Sequence, residues 1–317
     1  LARTLFIVST KSGTTTETLA FYRYFWGEVA QTVGERAGRH FIAITDPQSE
    51  LEATARERGF RKCYLNPSNI GGRYSVLSYF GLVPATLMGI DPEALLERAE
   101  RMAQGCAPCV LSEHNPGVFL GAAMAELARQ GRDKLTLVLS PRIVSFGLWA
   151  EQLIAESTGK DGKGIVPVAG EELGTPPVYG RDRFFVYLKL AEDDDERREE
   201  VLAELARAGH PVLTLFLTDV LDLGGEFFRW ELATAVAGAL LGINPFDEPN
   251  VQESKDNTRR VLQEFAAAGR LPDESVITRD RYLELTGDQA TRSRLEAVMQ
   301  EKGYPAGELP SYLAAHL

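Results

Sequence analysis

Short apolar segments that alternate with amphipathic helical segments constrain the fold of this chain more than any other feature. Strand-like runs at residues 5–8, 41–45 and 61–65 are separated by helical patterns, and the same alternation restarts near residue 134. Apolar strands connected by helices are typical of parallel sheets that helices cover on both faces. We therefore predict an α/β fold of two lobes, each a mostly parallel sheet in a three-layer αβα arrangement, divided near Gly131.

The predicted boundaries divide the chain into three parts. Residues 1–131 form the first lobe, residues 132–255 the second, and residues 256–317 a C-terminal helix with a polar, peripheral appendage. The first predicted strand begins only a few residues after Leu1, and a domain rarely begins inside its central sheet. We therefore expect the chain to be a fragment of a longer protein, with a first lobe that lacks its N-terminal part.

Charge and composition exclude several classes of function. The 317 residues include 34 Lys and Arg against 45 Asp and Glu, a net charge of −11, whereas nucleic-acid-binding proteins usually carry a basic face. No apolar run approaches the roughly 20 residues that cross a membrane, and the N-terminal sequence has no signal-peptide pattern. We expect a cytoplasmic protein that binds neither nucleic acid nor membranes.

The cysteines do not indicate a disulfide framework or a metal site. Cys63, Cys106 and Cys109 are few and odd in number, which fits a reducing compartment. Cys106 and Cys109 form an isolated C-x-x-C, and a zinc site would need two further ligands. His114 is a candidate for one of them, but a fourth ligand is missing, so we predict no metal.

The segment after the first predicted strand has the composition of a phosphate-binding loop. Residues 9–18, STKSGTTTET, provide hydroxyls, one cation and a flexible glycine at a turn from strand to helix. The following helix would present backbone N–H groups and the positive end of its dipole to an anion. The segment lacks the G-x-x-x-x-G-K-[ST] pattern of nucleotide sites, which favours a small phosphorylated metabolite. The structural alternative is a Ser/Thr-rich helix cap without a ligand.

This loop resembles the phosphate loop of sugar isomerase (SIS) domains, and three later segments resemble motifs of the glucose-6-phosphate isomerase family. Residues 70–75, IGGRYS, are similar to the family's G-G-R-[FY]-S motif, and residues 152–160, QLIAESTGK, to its Q-x-x-x-E-S-x-G-K segment. Residues 246–255, FDEPNVQESK, are similar to its F-D-Q-x-G-V-E-x-x-K signature. Three positions depart from that signature: Glu248 for Gln, Asn250 for Gly and Gln252 for Glu. The four segments occur in the family's order, and together they imply a SIS fold.

The resemblance implies interconversion of glucose 6-phosphate and fructose 6-phosphate by ring opening and enediol proton transfer, with no metal or organic cofactor. Glu156, which shares a helix face with Gln152, is the implied base that moves the proton between C2 and C1. Arg73 would stabilise the enediolate, and Lys255 would assist ring opening. His210 is the one histidine between the Glu156 and Lys255 motifs, and it is therefore the candidate for the family's ring-opening histidine.

The resemblance also implies a set of phosphate ligands and partners. Thr10, Lys11, Ser12 and Thr15 would surround the phosphate of a hexose 6-phosphate, with Gln152 as a further donor. Sites shared between subunits in the family imply a homodimer, and residues 225–255 resemble a subgroup that is fused downstream of a transaldolase domain.

Two alternatives to this isomerase remain open. One is a non-catalytic, sugar-phosphate-sensing SIS regulator, and the other is a different SIS sugar-phosphate isomerase. A sensor needs only the phosphate loop, whereas this sequence also has the candidate Glu156, Arg73 and Lys255. The G-G-R-Y-S and E-S-x-G-K segments favour the glucose-phosphate branch over other SIS enzymes.

Overall fold

The computed structural model describes residues 1–270 and 275–316, and for residues 249–253 it describes the main chain only. The chain divides into two compact units, residues 1–247 and residues 248–317. The first part of unit one contains β1 (Phe6–Ser9), α1 (Thr16–Val33), β2 (Phe41–Thr45), α2 (Glu50–Glu57), β3 (Lys62–Leu65), α3 (Tyr79–Leu87), α4 (Pro92–Gly105) and α5 (Pro116–Arg129). The rest of unit one contains β4 (Lys134–Leu139), α6 (Ser145–Thr158), β5 (Val166–Ala169), β6 (Arg183–Leu190), α7 (Glu196–Arg207), β7 (Val212–Leu217) and α8 (Leu223–Leu241).

The first sheet has three parallel strands in the order β1-β2-β3. The central strand β2 is buried at all five positions, because it is paired on both edges and covered on both faces. Helix α1 packs Tyr22 and Val29 into a core that includes Phe41. Since the strands are parallel, the loops that follow them meet at one edge of the sheet, where α/β proteins usually bind ligands.

The second sheet has four parallel strands in the order β5-β4-β6-β7. Side chains alternate along β6, so its two faces have different neighbours. Phe184, Val186 and Leu188 belong to the core that contains residues of α5, α6 and α8. Phe185 and Tyr187 belong instead to the core that contains Leu202 and Leu205 of α7. Helices α6 and α7 therefore cover opposite faces of this sheet.

The predicted α/β fold with parallel sheets flanked by helices is confirmed, although two predicted details differ. The edge strand β5 was not predicted, since its short V-P-V-A sequence contains Pro167, which cannot donate a ladder hydrogen bond and is tolerated only at an edge. The apolar sequence of residues 74–87 predicts one continuous helix, whereas the structure has a 3₁₀ turn, Gly72–Tyr74, followed by α3. The helix begins late because Ser78 is its cap and accepts from the Phe80 N–H.

The second unit consists of α9 (Pro249–Ala268), an antiparallel hairpin of β8 (Ser275–Arg279) and β9 (Glu284–Gly287), and helices α10 (Gln289–Lys302) and α11 (Leu309–His316). Its small core contains Ile277, Leu295, Met299 and Tyr312. The predicted boundary at residue 131 falls between α5 and β4, and the one at residue 255 falls within α9. Of the helices in the described residues, none combines the length and the apolar character that crossing a membrane requires.

Candidate active site

The loop between β1 and α1 places its hydroxyls at the carboxyl edge of the first sheet. Thr10 is buried, and its Oγ1 lies 2.8 Å from Oγ1 of Thr15. Thr15 is the N-cap residue of α1, but its side chain makes no capping hydrogen bond within the described residues. The Ser12 hydroxyl accepts from the Thr14 N–H at 3.2 Å. The N-terminus of α1 therefore retains backbone donors that suit an anion.

Gly13 allows this loop to lie against the start of α2. Its φ of +74° is in the left-handed region, which side chains disfavour. A Cβ at this position would lie 2.9 Å from Cβ of Ser49 and 3.0 Å from the Leu51 nitrogen. The glycine is therefore required both by the backbone conformation and by the close approach of α2.

Lys11 connects the phosphate loop to the segments that follow β2 and β3. Its Nζ is 2.6 Å from Oδ2 of Asp46 and donates to the Ser68 carbonyl at 3.0 Å. An ammonium has three N–H donors, so one more can serve a ligand. Asp46 was not among the predicted site residues, although its position directly after a buried strand was a signal for it.

Arg73 lies at the centre of the second group of predicted residues. Its side chain is only 3% exposed, and its Nε lies 3.7 Å from Oε1 of Glu156. Nη1 donates to Oγ of Ser157 at 2.7 Å and to the Pro245 carbonyl at 3.0 Å, while Nη2 donates to the Asp247 carbonyl at 2.9 Å. The guanidinium thus binds the end of α6 and the turn at residues 244–247 at the same time.

Glu156 lies in the last turn of α6, between Arg73 and Gln152. Nε2 of Gln152 donates to its Oε2 at 3.4 Å, while Arg73 faces the other carboxylate oxygen. The Glu156 side chain is 27% exposed, in contrast to the buried arginine beside it. A carboxylate that is oriented on both sides and still reaches solvent can accept a proton from a bound ligand.

Tyr74 and Ser157 form the buried support of this pair. The Tyr74 hydroxyl donates to Oγ of Ser157 and to the Pro245 carbonyl, both at 3.3 Å. Burial raises the pKa of Tyr74, so the phenol remains a neutral donor. Its ring lies 5.1 Å from that of Phe246. The support fixes Ser157 and, through the helix, the adjacent Glu156.

Lys160, which was not among the predicted site residues, also binds the turn at residues 244–247. Its side chain is 6% exposed, and Nζ donates to the Asn244 carbonyl at 2.5 Å and to the Asp247 carbonyl at 2.7 Å. The same ammonium lies 2.5 Å from Oδ1 of Asp247. This hydrogen bond lowers the pKa of Asp247. The available signal was its position as the last residue of the Q-x-x-x-E-S-x-G-K segment.

Two further cations bind the main chain just before this turn. Arg129 donates to the Leu240 carbonyl, and Lys163 donates to the Leu241 carbonyl at 2.9 Å. Together with Arg73 and Lys160, they satisfy a set of oxygens that we call the carbonyl run, which comprises the main-chain oxygens of Leu240, Leu241, Asn244, Pro245 and Asp247. Carbonyls at the end of a helix lack partners within the helix, which explains why cations gather there.

His210 is not brought to the Arg73–Glu156 pair within this chain. It lies before β7, where its N–H donates to the Leu205 carbonyl at 3.0 Å. Its ring packs edge-on against Phe185, with centroids 5.8 Å apart. Phe185 points to the face of the sheet that α7 covers, whereas Glu156 belongs to α6 on the opposite face. The ring-opening role of His210 stays a prediction.

The last predicted catalytic residue lies in the second unit. Lys255 is exposed on α9. The side chains of Asn250 and Gln252, two of the departures from the family signature, lie outside the described residues. The role of Lys255 stays a prediction.

Metal ligands are not gathered in the described part of the chain. Cys63, Cys106 and Cys109 are free thiols. Within residues 1–270 and 275–316, no group of three or more His, Cys, Asp or Glu side chains is placed to hold a metal ion.

Comparison with known protein families gives a consistent result. The family model described as phosphoglucose isomerase matches residues 1–167. The glucose-6-phosphate isomerase of Lactobacillus helveticus is 30% identical, with 80% of this chain and 66% of that protein covered. The corresponding enzyme of Heliobacterium modesticaldum is 30% identical, with 84% and 69% covered. This chain thus spans about two thirds of the length of these curated relatives.

Solved structures show the same fold. A hypothetical protein from Thermus thermophilus superposes with a TM-score of 0.72 at 26% identity, covering 82% of this chain and 72% of that one. A glucose-6-phosphate isomerase from Chlamydia trachomatis superposes with a TM-score of 0.67 at 20% identity, covering 84% and 60%. The second likeness concerns the fold alone.

Proposed function

Since this chain belongs to the phosphoglucose isomerase family, we propose that it is an aldose–ketose isomerase that interconverts glucose 6-phosphate and fructose 6-phosphate. The observation that carries the proposal is the pair formed by Glu156 and Arg73, in which a partly exposed carboxylate lies 3.7 Å from a buried guanidinium. A fixed base beside a permanent positive charge is what proton transfer through an enediolate requires.

The phosphate of the substrate would bind at the β1–α1 loop. Lys11 supplies the charge, Thr10, Ser12 and Thr15 supply hydroxyls, and the N-terminus of α1 supplies backbone N–H groups. Gln152 would add a donor if it turned from Glu156 toward the ligand. Binding energy at this remote group would hold the sugar in position for the reaction.

The isomerisation would then proceed by one base acting at two carbons. Glu156 removes the proton from C2 of open-chain glucose 6-phosphate, and the electron pair moves to form the C1–C2 double bond of the enediol. The electrons of the C1 carbonyl move to O1, and the hydroxyl proton of the sugar passes from O2 to O1. The protonated Glu156 then returns its proton to C1 while the C2–O double bond forms, which gives fructose 6-phosphate. The positive charge of Arg73 would stabilise the negative oxygen of the intermediate.

Ring opening precedes this transfer and needs an acid and a base of its own. Lys255 is the candidate that the family signature supplies. His210 is buried against aromatic rings on the other face of the second sheet. We therefore leave His210 out of the proposed proton transfer at Glu156 of the same chain.

The partners that we propose rest on the resemblance and not on a contact in the structure. They are a second copy of this chain in a homodimer and an upstream transaldolase domain in a longer protein. A cytoplasmic location is part of the same proposal. Mass measurement of the purified chain in solution tests the dimer directly.

The test of the function is a coupled assay that starts from fructose 6-phosphate and detects glucose 6-phosphate. Glu156→Gln should lower kcat by about 10²- to 10⁴-fold, the usual contribution of a general base. Calorimetry with a hexitol 6-phosphate, which cannot isomerise, should show near-normal binding. Glu151→Gln, on the same helix, is the matched control and should retain activity.

Two outcomes would contradict the proposal. If Glu156→Gln lost ligand binding together with turnover, Glu156 would be a structural residue rather than the base. If the unaltered chain, and any longer natural protein that contains it, bound the hexitol phosphate without isomerising fructose 6-phosphate, the sugar-phosphate sensor would be the better interpretation.

A further inference from the structure

Two buried cations from different segments hold the same turn, residues 244–247. Lys160 follows α6 and binds the Asn244 and Asp247 carbonyls, while Arg73 follows β3 and binds the Pro245 and Asp247 carbonyls. The Asp247 carbonyl oxygen accepts from both. Any shift of the turn that displaces one cation therefore also disturbs the other.

The two cations differ in their anionic partners. Lys160 lies 2.5 Å from the Asp247 carboxylate, whereas Arg73 directs its Nε toward the Glu156 carboxylate. Arg73 nevertheless binds the same residue, since its Nη2 donates to the Asp247 carbonyl at 2.9 Å. Its positive charge also lowers the pKa of the Asp247 carboxyl, after the larger effects of the hydrogen bonds from Lys160 and Asn244. The half-exposed carboxylate of Asp247 is thus an alternative to Glu156 for this guanidinium, and Lys160 pairs with it.

We propose that Lys160 is a positioning residue for the candidate base: by neutralising Asp247 and holding the turn, it keeps the guanidinium of Arg73 on Glu156. This inference rests on the proposed isomerase function and assigns that function a residue that contacts neither substrate nor base. Without Lys160, the Asp247 carboxylate loses its ion pair, while the buried Arg73 remains bound to the carbonyl of the same residue. Rotation of Arg73 toward Asp247 would remove the charge that orients Glu156.

The test compares three variants and one control variant in the fructose 6-phosphate assay. Lys160→Met should lower kcat by about 10²-fold, the loss that a displacement of about 1 Å causes at a catalytic group. KM should change less than about threefold, because the phosphate loop is a separate segment. Asp247→Asn alone should keep most of kcat, since both cations still bind main-chain oxygens. Lys160→Met with Asp247→Asn should regain most of kcat, since the competing carboxylate is gone.

Lys163→Met is the matched control. Lys163 belongs to the same loop and also binds a carbonyl of the carbonyl run, but its Leu241 partner is not shared with Arg73. Its replacement should leave kcat within about threefold of the unaltered chain. Equal losses in Lys160→Met and Lys163→Met would overturn the proposal, because they would indicate a general structural role of the loop.

The double variant decides the question even if Lys160→Met alone does not fold. Lys160 is the buried member of this pair and the Asp247 side chain is 51% exposed, so the double variant leaves no charge of the pair without its partner. A folded double variant with near-normal kcat supports the proposal, and one with the low kcat expected of Lys160→Met overturns it. Absence of turnover in the unaltered chain would instead refute the proposed function, so the two failures are distinguishable.

Discussion

Glu231 on α8 has a largely buried carboxyl group whose titration should contribute to the pH dependence of stability. Its Oε1 has no hydrogen-bond partner among the described residues. Burial raises its pKa from 4.5 to about 8. Removal of a carboxylate from water without a partner is costly, so the folded chain retains the proton at neutral pH.

The size and sign of the effect follow from this shift. Between pH 4.5 and about 8, the unfolded chain has lost the proton of Glu231 while the folded chain still binds it. The free energy of unfolding therefore falls as pH rises through this range, and the full loss is reached above the folded pKa. A change from 4.5 to about 8 corresponds to at most about 5 kcal/mol.

The perturbation is Glu231→Gln, which keeps the shape of the side chain and removes its proton equilibrium. Denaturant unfolding from pH 5 to pH 9 gives the free energy of unfolding of both proteins. The variant should gain several kcal/mol relative to the unaltered chain as pH rises. Glu204→Gln, the same change at an exposed position of α7, should show no such gain. A difference between Glu231→Gln and the unaltered chain that stays constant with pH would refute the reasoning.

Two predictions concern the phosphate loop. Gly13→Ala should destabilise the chain by more than the roughly 1–2 kcal/mol of a left-handed alanine, since the methyl group would also lie 2.9 Å from Cβ of Ser49. Gly131→Ala is the control, since this glycine has a φ of +81° and no described atom lies within 4 Å of the added Cβ, so only the backbone cost is expected. Equal decreases in thermal stability in the two variants would contradict the steric argument. Lys11→Met should raise KM for fructose 6-phosphate at least about tenfold, the loss of one charged hydrogen bond, with a smaller change in kcat. An unchanged KM in the coupled assay would show that Lys11 serves Asp46 and not the phosphate.

Local patterns predict the fold well in this chain because the strands are continuous apolar runs. The strands predicted at residues 5–8, 41–45 and 61–65 correspond to β1, β2 and β3, with bounds that differ by at most one residue. Strand β5 escaped prediction because it has only four residues and contains Pro167. The hairpin and the two helices at the C-terminus were described only as a polar appendage, since a core of four buried side chains leaves a weak pattern.

The site was predictable where side chains bind side chains and less so elsewhere. The structure brings Glu156 and Arg73, which are distant in sequence, within 3.7 Å, and the motif order indicated that they belong to one site. The role of Lys160 gave no such signal, because two of its three acceptors are main-chain oxygens. Every residue type has such an oxygen, so no pattern in the sequence marks these partners. The surroundings of His210 depend on the face of β6 to which Phe185 points, because the two rings pack together. The sequence around His210, which lies in a turn, does not indicate that face.

The cations of the carbonyl run bind main-chain oxygens of residues 240–247. The number of residues in this segment should therefore matter more than the side chains that they carry. Each cation of the carbonyl run binds an oxygen at a fixed distance along the chain, whatever side chain that residue carries. Phe246, which is 61% exposed, illustrates how much freedom such a segment leaves to its own side chains. Inserting or deleting one residue would place a different oxygen opposite Arg73 and Lys160, so this segment should accept substitutions during divergence while keeping its number of residues.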